Sequence, residues 1–156
     1  MASRYGRSLA GRRIRCPAPL NKGARFSLIA AISIKQVETA LYGEWSTNLD
    51  IFKDFIDRQL APKLSSQSIV VMDNIAFHKN REVIQKIETI GAKVIFLPPY
   101  SPDLSPVENL WSKIKHYLPK WAPRTVAAFQ KAIRKAFLLI TPDDLQAWFK
   151  YCGYKT

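Results

Sequence analysis

Residues 69–97 read IVVMDNIAFHKNREVIQKIETIGAKVIFL, and this stretch decides the fold class. Ile69-Val70-Val71-Met72 is an unbroken apolar run closed by Asp73. Such a run predicts a strand buried on both faces, as in the centre of an α/β sheet. Between Asn80 and Ile90, apolar Val83, Ile84, Ile87 and Ile90 recur at helical spacing, and Gly91 stands where a helix would close. Val94-Ile95-Phe96-Leu97 is a second apolar run, ended by Pro98-Pro99. Strand, helix and strand within 62–97 predict a βαβ unit with a parallel pair.

Around this unit the pattern is regular. Phe26–Ile34 reads as a strand and Val37–Tyr42 as its hairpin partner. Asn48–Leu60 reads as a helix with Leu49, Phe52, Ile56 and Leu60 on one face, capped by Thr47 or Asn48 and stopped by Pro62. Three more helices are predicted over Val107–Leu118, Thr125–Ile140 and Asp143–Tyr151. Residues 1–24 are rich in Arg, Gly and Pro and read as a basic arm or loop, with a short strand near Arg13–Cys16; residues 25–156 form the domain.

Composition narrows the function classes. The chain has 156 residues, 47% of them apolar, enough for one packed domain and incompatible with global disorder. Its longest uncharged apolar run, Phe26–Ile34, falls well short of the roughly 20 residues that cross a bilayer. No signal peptide is evident, and Cys16 and Cys152 make neither a disulfide framework nor a zinc motif. A cytoplasmic location follows as an expectation. Net charge is +12, unevenly spread. Residues 1–25 hold seven basic side chains and no acid, and residues 109–156 hold nine basic and two acidic. Residues 26–108 hold eight basic and ten acidic. Two positive flanks around a slightly acidic centre favour a polyanion, because each neutralised phosphate releases counterions.

Two carboxylates stand out. Asp73 follows a strand, at the edge where open α/β sheets bind ligands, although a turn-forming Asp before Asn74 is equally consistent. Glu108 lies in Ser105-Pro106-Val107-Glu108, which fits a capping box; Thr141-Pro142-Asp143-Asp144 repeats that grammar. On a helical wheel Glu108 sits about 100° from Val107, at the edge of the stripe formed by Leu110, Trp111, Ile114 and Leu118. Hard divalent cations take oxygen ligands, and a two-metal phosphoryl-transfer site generally needs a further bridging carboxylate. His78 could orient an oxygen or a carboxylate, or simply begin a helix. His116 reads as solvent-facing, and the four Trp residues as core. Tyr100, in Pro98-Pro99-Tyr100-Ser101-Pro102, is the better candidate to stack on a nucleobase.

The same residues resemble a known family. Val70-Val71-Met72-Asp73-Asn74, then His78-Lys79, then the run from Leu97 through Pro98-Pro99-Tyr100-Ser101-Pro102-Asp103-Leu104-Ser105-Pro106-Val107-Glu108 to Lys115, is similar to the catalytic domain of mariner-superfamily insertion-sequence transposases. Arg4-Tyr5-Gly6-Arg7 and Gly11 resemble that family's segment after its first strand. The resemblance implies a ribonuclease H-like fold with a mixed sheet and flanking helices. It implies DNA cleavage and strand transfer with Mg²⁺ or Mn²⁺ held by three acids, of which Asp73 matches the second and Glu108 the third. It also implies contacts to double-stranded DNA at element ends and target, for which Arg4, Arg7, Arg12, Arg13, His78, Lys79, Tyr100, Lys113 and Lys115 are the candidates.

The family's first acid precedes the Arg4-Tyr5-Gly6-Arg7 segment, so the expectation is a catalytic domain truncated before its first strand and inactive alone. An upstream transposase fragment or a second copy of the chain would then be its partner. The alternative expectation is a non-catalytic DNA- or partner-binding remnant. An unrelated metal phosphohydrolase is disfavoured, since Asp103 is the only spare carboxylate nearby.

Overall fold

In the computed structural model, residues 26–155 are described. The basic arm, its short predicted strand and Arg4, Arg7, Arg12 and Arg13 lie outside them. The first element is a hairpin of β1 (Ser27–Ile32) and β2 (Val37–Gly43), paired antiparallel from Ser27 opposite Gly43 to Ile32 opposite Val37. Ser33 shapes its turn. The Ser33 side chain accepts hydrogen bonds from Lys35 N and Gln36 N, both 3.2 Å, while Ser33 N donates to Gln36 O at 2.8 Å.

The βαβ unit is present as read. β3 (Ile69–Met72) and β4 (Lys93–Phe96) pair in parallel, from Ile69 opposite Lys93 to Met72 opposite Phe96. They are joined by α2 (Arg81–Thr89), whose start is capped by Asn80 Oδ1 accepting from Glu82 N at 3.0 Å. Gly91 closes α2 with φ +91°, and a Cβ there would lie 2.9 Å from Ser66 Cβ, so conformation and space both select glycine. Among the described residues the strands form two separate pairs.

One expectation fails. Ile69 and Val71 are exposed, as is Ile95 on β4, so β3 is not buried on both faces. Val70, Met72, Val94 and Phe96 face a core; the alternate side chains of this two-stranded unit have no described layer over them.

α1 (Leu49–Phe55) starts at Asn48, whose Oδ1 accepts from Ile51 N at 2.9 Å. The predicted helix to Leu60 is continuous but changes pitch, with a π turn over Ile56–Leu60 and a 3-10 turn over Ala61–Lys63. The wider turn keeps Phe52, Phe55, Ile56 and Leu60 all buried. They form the first core with Met72, Val83, Ile87 and Ala92. α3 (Pro106–Trp121) and α4 (Val126–Leu138) build the second core from Leu110, Ile114, Leu118, Ala132, Ile133 and Ala136. α5 (Pro142–Tyr151) adds Trp148 to it. Trp111 and Trp121 also pack there, half-buried, so three of the four tryptophans read as core lie against it, while Trp45 is half-buried outside both cores.

β1 joins the two cores. Ile29 and Ala31 pack on the first, and Leu28, Ala30 and Ile32 on the second. Alternation along a strand sends successive side chains to opposite faces, and here both faces are apolar. This places the end of β3 and the start of α3 around one space.

Candidate active site

A cavity of about 830 Å³ lies between β1, β3, the 98–108 segment and α5. Asp73 and Glu108 both line it, as do Asn74, His78, Tyr100 and Trp111. Two acids 35 positions apart in sequence therefore face one space, brought there by a strand end and a helix start.

Asp73 is the first residue past β3, with its side chain 53% exposed. Its Oδ1 lies against His78 Nδ1, a buried nitrogen that makes no well-aligned hydrogen bond among the described residues. His78 is only 16% exposed, and its ring packs on Phe52 at 4.2 Å between centroids, tilted by 31°. Phe77 meets the same ring edge-on, at 4.6 Å and 84°. Burial holds the His78 pKa below the ordinary 6.5 despite the opposing pull of the Asp73 charge, so the neutral ring is the form favoured here. Beside it, Asn74 Oδ1 is buried with no hydrogen-bond partner among the described residues.

Glu108 occupies the first turn of α3 and is exposed. The capping box expected there does not form. Ser105 makes no side-chain bond to the helix start; Glu108 N instead donates to the Ser105 carbonyl at 3.0 Å. Among the described residues its carboxylate makes no hydrogen bond or ion pair, and it stands at the positive end of the helix dipole.

The loop before α3 is fixed from several sides. A 3-10 turn covers Pro102–Leu104, and Tyr154 Oη donates to Leu104 O at 3.0 Å. Tyr100 is fully exposed, with φ +56°, an unusual conformation for a bulky residue, held within a proline-rich loop.

The remaining predicted contacts separate. Lys79 and Lys115 are exposed, as is His116. Lys113 is paired with Asp144 of α5, with its side chain 23% exposed. Asp103 is exposed in the 3-10 turn. Two features escaped sequence reading. Phe52 counted only as a core position, with no signal linking it to His78. Asn74 read only as a turn residue, although its place after Asp73 was the available cue.

Mg²⁺ and Mn²⁺ favour oxygen ligands, and the cavity offers two carboxylates and an unpartnered amide oxygen. This donor chemistry fits such an ion. Among the described residues, no three His, Cys, Asp or Glu side chains gather into a metal-holding group.

Residues 1–129 match the profile of the DDE superfamily endonucleases, a span that includes both acids. The chain belongs to this family. Its fold is the ribonuclease H-like fold of the Mos1 transposase catalytic domain. The chain is similar to the crystal structure of the Mos1 strand transfer complex, with TM-score 0.78 and 18% identity over 97% of this chain and 47% of that one. Against the Mos1 mariner paired end complex with Mn the values are 0.74, 16%, 97% and 48%. Against the Mos1 transposase catalytic domain with raltegravir and Mg they are 0.65, 18%, 80% and 68%. The chain thus spans about half the length of the transposases in the two DNA-end complexes. No curated protein matches the sequence. No described helix is long and apolar enough to cross a membrane.

Proposed function

We propose that this DDE-family chain supplies two of the three acids of a metal-dependent DNA strand cleavage and transfer site. The observation that carries the reading is that Asp73 and Glu108 line one cavity. Asp73 and Glu108 hold Mg²⁺ or Mn²⁺, with Asn74 Oδ1 as a further oxygen beside them. The ions' chemistry is to activate an attacking water or 3′-hydroxyl and to steady the leaving oxygen of the phosphodiester. A third carboxylate comes from outside the described residues, so the 156-residue chain alone does not cut DNA. An upstream transposase segment or a second copy of the chain completes the site.

Double-stranded DNA is the substrate. The Mos1 structures in strand transfer and paired end complexes support this, as do the two basic flanks. Tyr100 stacks on a nucleobase near the scissile phosphate, and exposed Lys79 and Lys115 meet backbone phosphates. Arg4, Arg7, Arg12 and Arg13 extend that contact. Lys113, engaged with Asp144, contributes less. His78, beside Asp73 and lining the same cavity, is a further contact to the DNA. The lack of a three-acid group among the described residues favours a second reading, a DNA-binding chain without catalysis.

The test is a cleavage assay on a labelled element end, scored beside filter binding. With Mn²⁺, the chain alone should bind DNA without cutting it. Adding the upstream polypeptide should restore cutting, and Asp73→Asn should abolish it with binding intact. Cutting that survives Asp73→Asn would end the reading.

A further inference from the structure

From Asn109 to Pro142 the chain holds seven basic side chains and no acid. Five of them, Lys120, Arg124, Lys131, Arg134 and Lys135, lie on the last turn of α3, the connection after it and α4, and all five are exposed. On α4 the spacing puts Lys131, Arg134 and Lys135 on one face, while Ala132, Ile133 and Ala136 are buried in the second core. Among the described residues none of the five pairs with a carboxylate. Their partners are of another kind. Tyr117 and Trp121 stack at 5.4 Å and 15°, with Lys120 Nζ 5.6 Å from the centre of the Tyr117 ring and Lys135 Nζ 4.8 Å from that of Trp121. Arg134 Nε donates to Tyr42 Oη at 2.8 Å. An aromatic face or a hydroxyl holds a cation in place without cancelling its charge, as a carboxylate would. The face is therefore ordered and positive.

It also stands apart from the cavity. Lys120 is 12 residues beyond Glu108 on the same helix, which is about 18 Å along the axis and about 120° around it. None of the five basic residues lines the cavity. We propose that this α3–α4 face is a second DNA-binding surface, which holds the phosphate backbone of a duplex segment other than the one at Asp73 and Glu108. The inference rests on the reading of duplex DNA as the polyanion this chain binds, and not on the metal site. Cations of this kind meet phosphates and read no base sequence. Tyr117 and Trp121 are half-buried, stacked on each other and approached by lysines, so the face offers charge rather than open rings for unpaired bases. That favours a duplex over a single strand.

The test uses the full 156-residue chain and a short mixed-sequence duplex, with binding followed by fluorescence anisotropy over a salt series. The joint change Lys120→Gln, Arg124→Gln, Lys131→Gln and Lys135→Gln should lower the slope of log affinity against log salt by about 2 or more, at about 0.9 for each lost phosphate contact. A control with Lys35→Gln, Lys93→Gln, Lys150→Gln and Lys155→Gln, also exposed positions, loses the same charge and should lower the slope by less than about 1. Equal changes in the two would reduce the effect to net charge and overturn the proposal. Lysine acetylation read by mass spectrometry then locates the duplex. DNA should protect Lys120, Lys131 and Lys135, and should still do so when Lys79→Gln and Tyr100→Ala weaken the cavity side. Protection that vanishes with those two changes would mean one continuous contact, and no second surface. An α3–α4 variant that binds DNA normally but no longer binds phosphatidylserine vesicles would assign the face to a membrane and overturn the proposal as well. If the unsubstituted chain binds no duplex, the DNA reading falls and takes this inference with it. If it binds and the α3–α4 substitutions change nothing, the second surface alone is wrong.

Discussion

The starts of α3 and α5 are written in the same grammar and built differently. Thr141-Pro142-Asp143-Asp144 closes a full capping box. Thr141 Oγ1 accepts from Asp144 N at 3.2 Å, and Asp144 Oδ2 accepts from Thr141 N at 2.8 Å. Lys113 pairs with the same carboxylate. Ser105-Pro106-Val107-Glu108 has a hydroxyl, a proline and an N3 acid at the same spacing and forms neither side-chain bond. The backbone explains the difference. Thr141 has ψ 159°, whereas Ser105 has ψ 103° and follows a 3-10 turn, with its N–H tied to Pro102 O at 3.1 Å. One carboxylate is spent on its own helix. The other makes no such bond among the described residues, and it is the one that lines the cavity with Asp73.

The largest expected effect tests that division of roles. In the cleavage-competent assembly, Glu108→Gln should lower strand cleavage by roughly 10³-fold, about 4 kcal/mol of barrier, with DNA binding retained. Asp144→Asn should leave cleavage within about 3-fold. Comparable losses from both would erase the distinction between the two helix starts.

Stability should rank them the other way. Thr141→Ala should cost about 1 kcal/mol in urea unfolding, while Ser105→Ala should change it by only a few tenths, since no side-chain cap is lost. The acid limb sharpens this. Burial opposes ionisation of Asp144, but bonds from Lys113 and Thr141 outweigh it and hold the carboxyl below its ordinary 3.8. A depressed carboxylate contributes stability that is present above that ordinary value and lost as pH falls through the lower, folded one. Unfolding followed below about pH 4 should therefore show a shallower loss in Thr141→Ala than in the parent chain.

The smallest effect concerns the two lysines of α3. Lys115→Gln should reduce the slope of log DNA affinity against log salt by about 0.9, one phosphate contact. Lys113→Gln should reduce it by less, because its ammonium is engaged by Asp144. Equal reductions would mean that Lys113 leaves Asp144 when DNA binds.

How much of this was legible in the sequence follows from which interactions are local. The βαβ unit, the hairpin and all five helices were readable, because periodicity, a cap at Thr47 or Asn48, and Gly91 as a stop are local signals; the caps at Asn80 and Thr125 emerged only in the structure. Asp73 was readable as a carboxylate at a strand end. The exposure of Ile69 and Val71 was not, since burial depends on which layer covers a face. Nor was the failure of the Ser105 box, which turns on a backbone torsion set by the preceding loop. The Phe52–His78 contact joins residues 26 positions apart, and no local pattern encodes it.

The central claim is that Asp73 and Glu108 face one divalent-cation site. Iron-mediated cleavage of the protein tests it most directly, since Fe²⁺ with ascorbate breaks the backbone close to where the ion sits. The account predicts two sets of fragments from the 156-residue chain, with ends near 73 and near 108, both suppressed by Mg²⁺ or Mn²⁺ and both lost together in Asp73→Asn. Breaks near only one of these positions, or breaks that persist in Asp73→Asn, would contradict it.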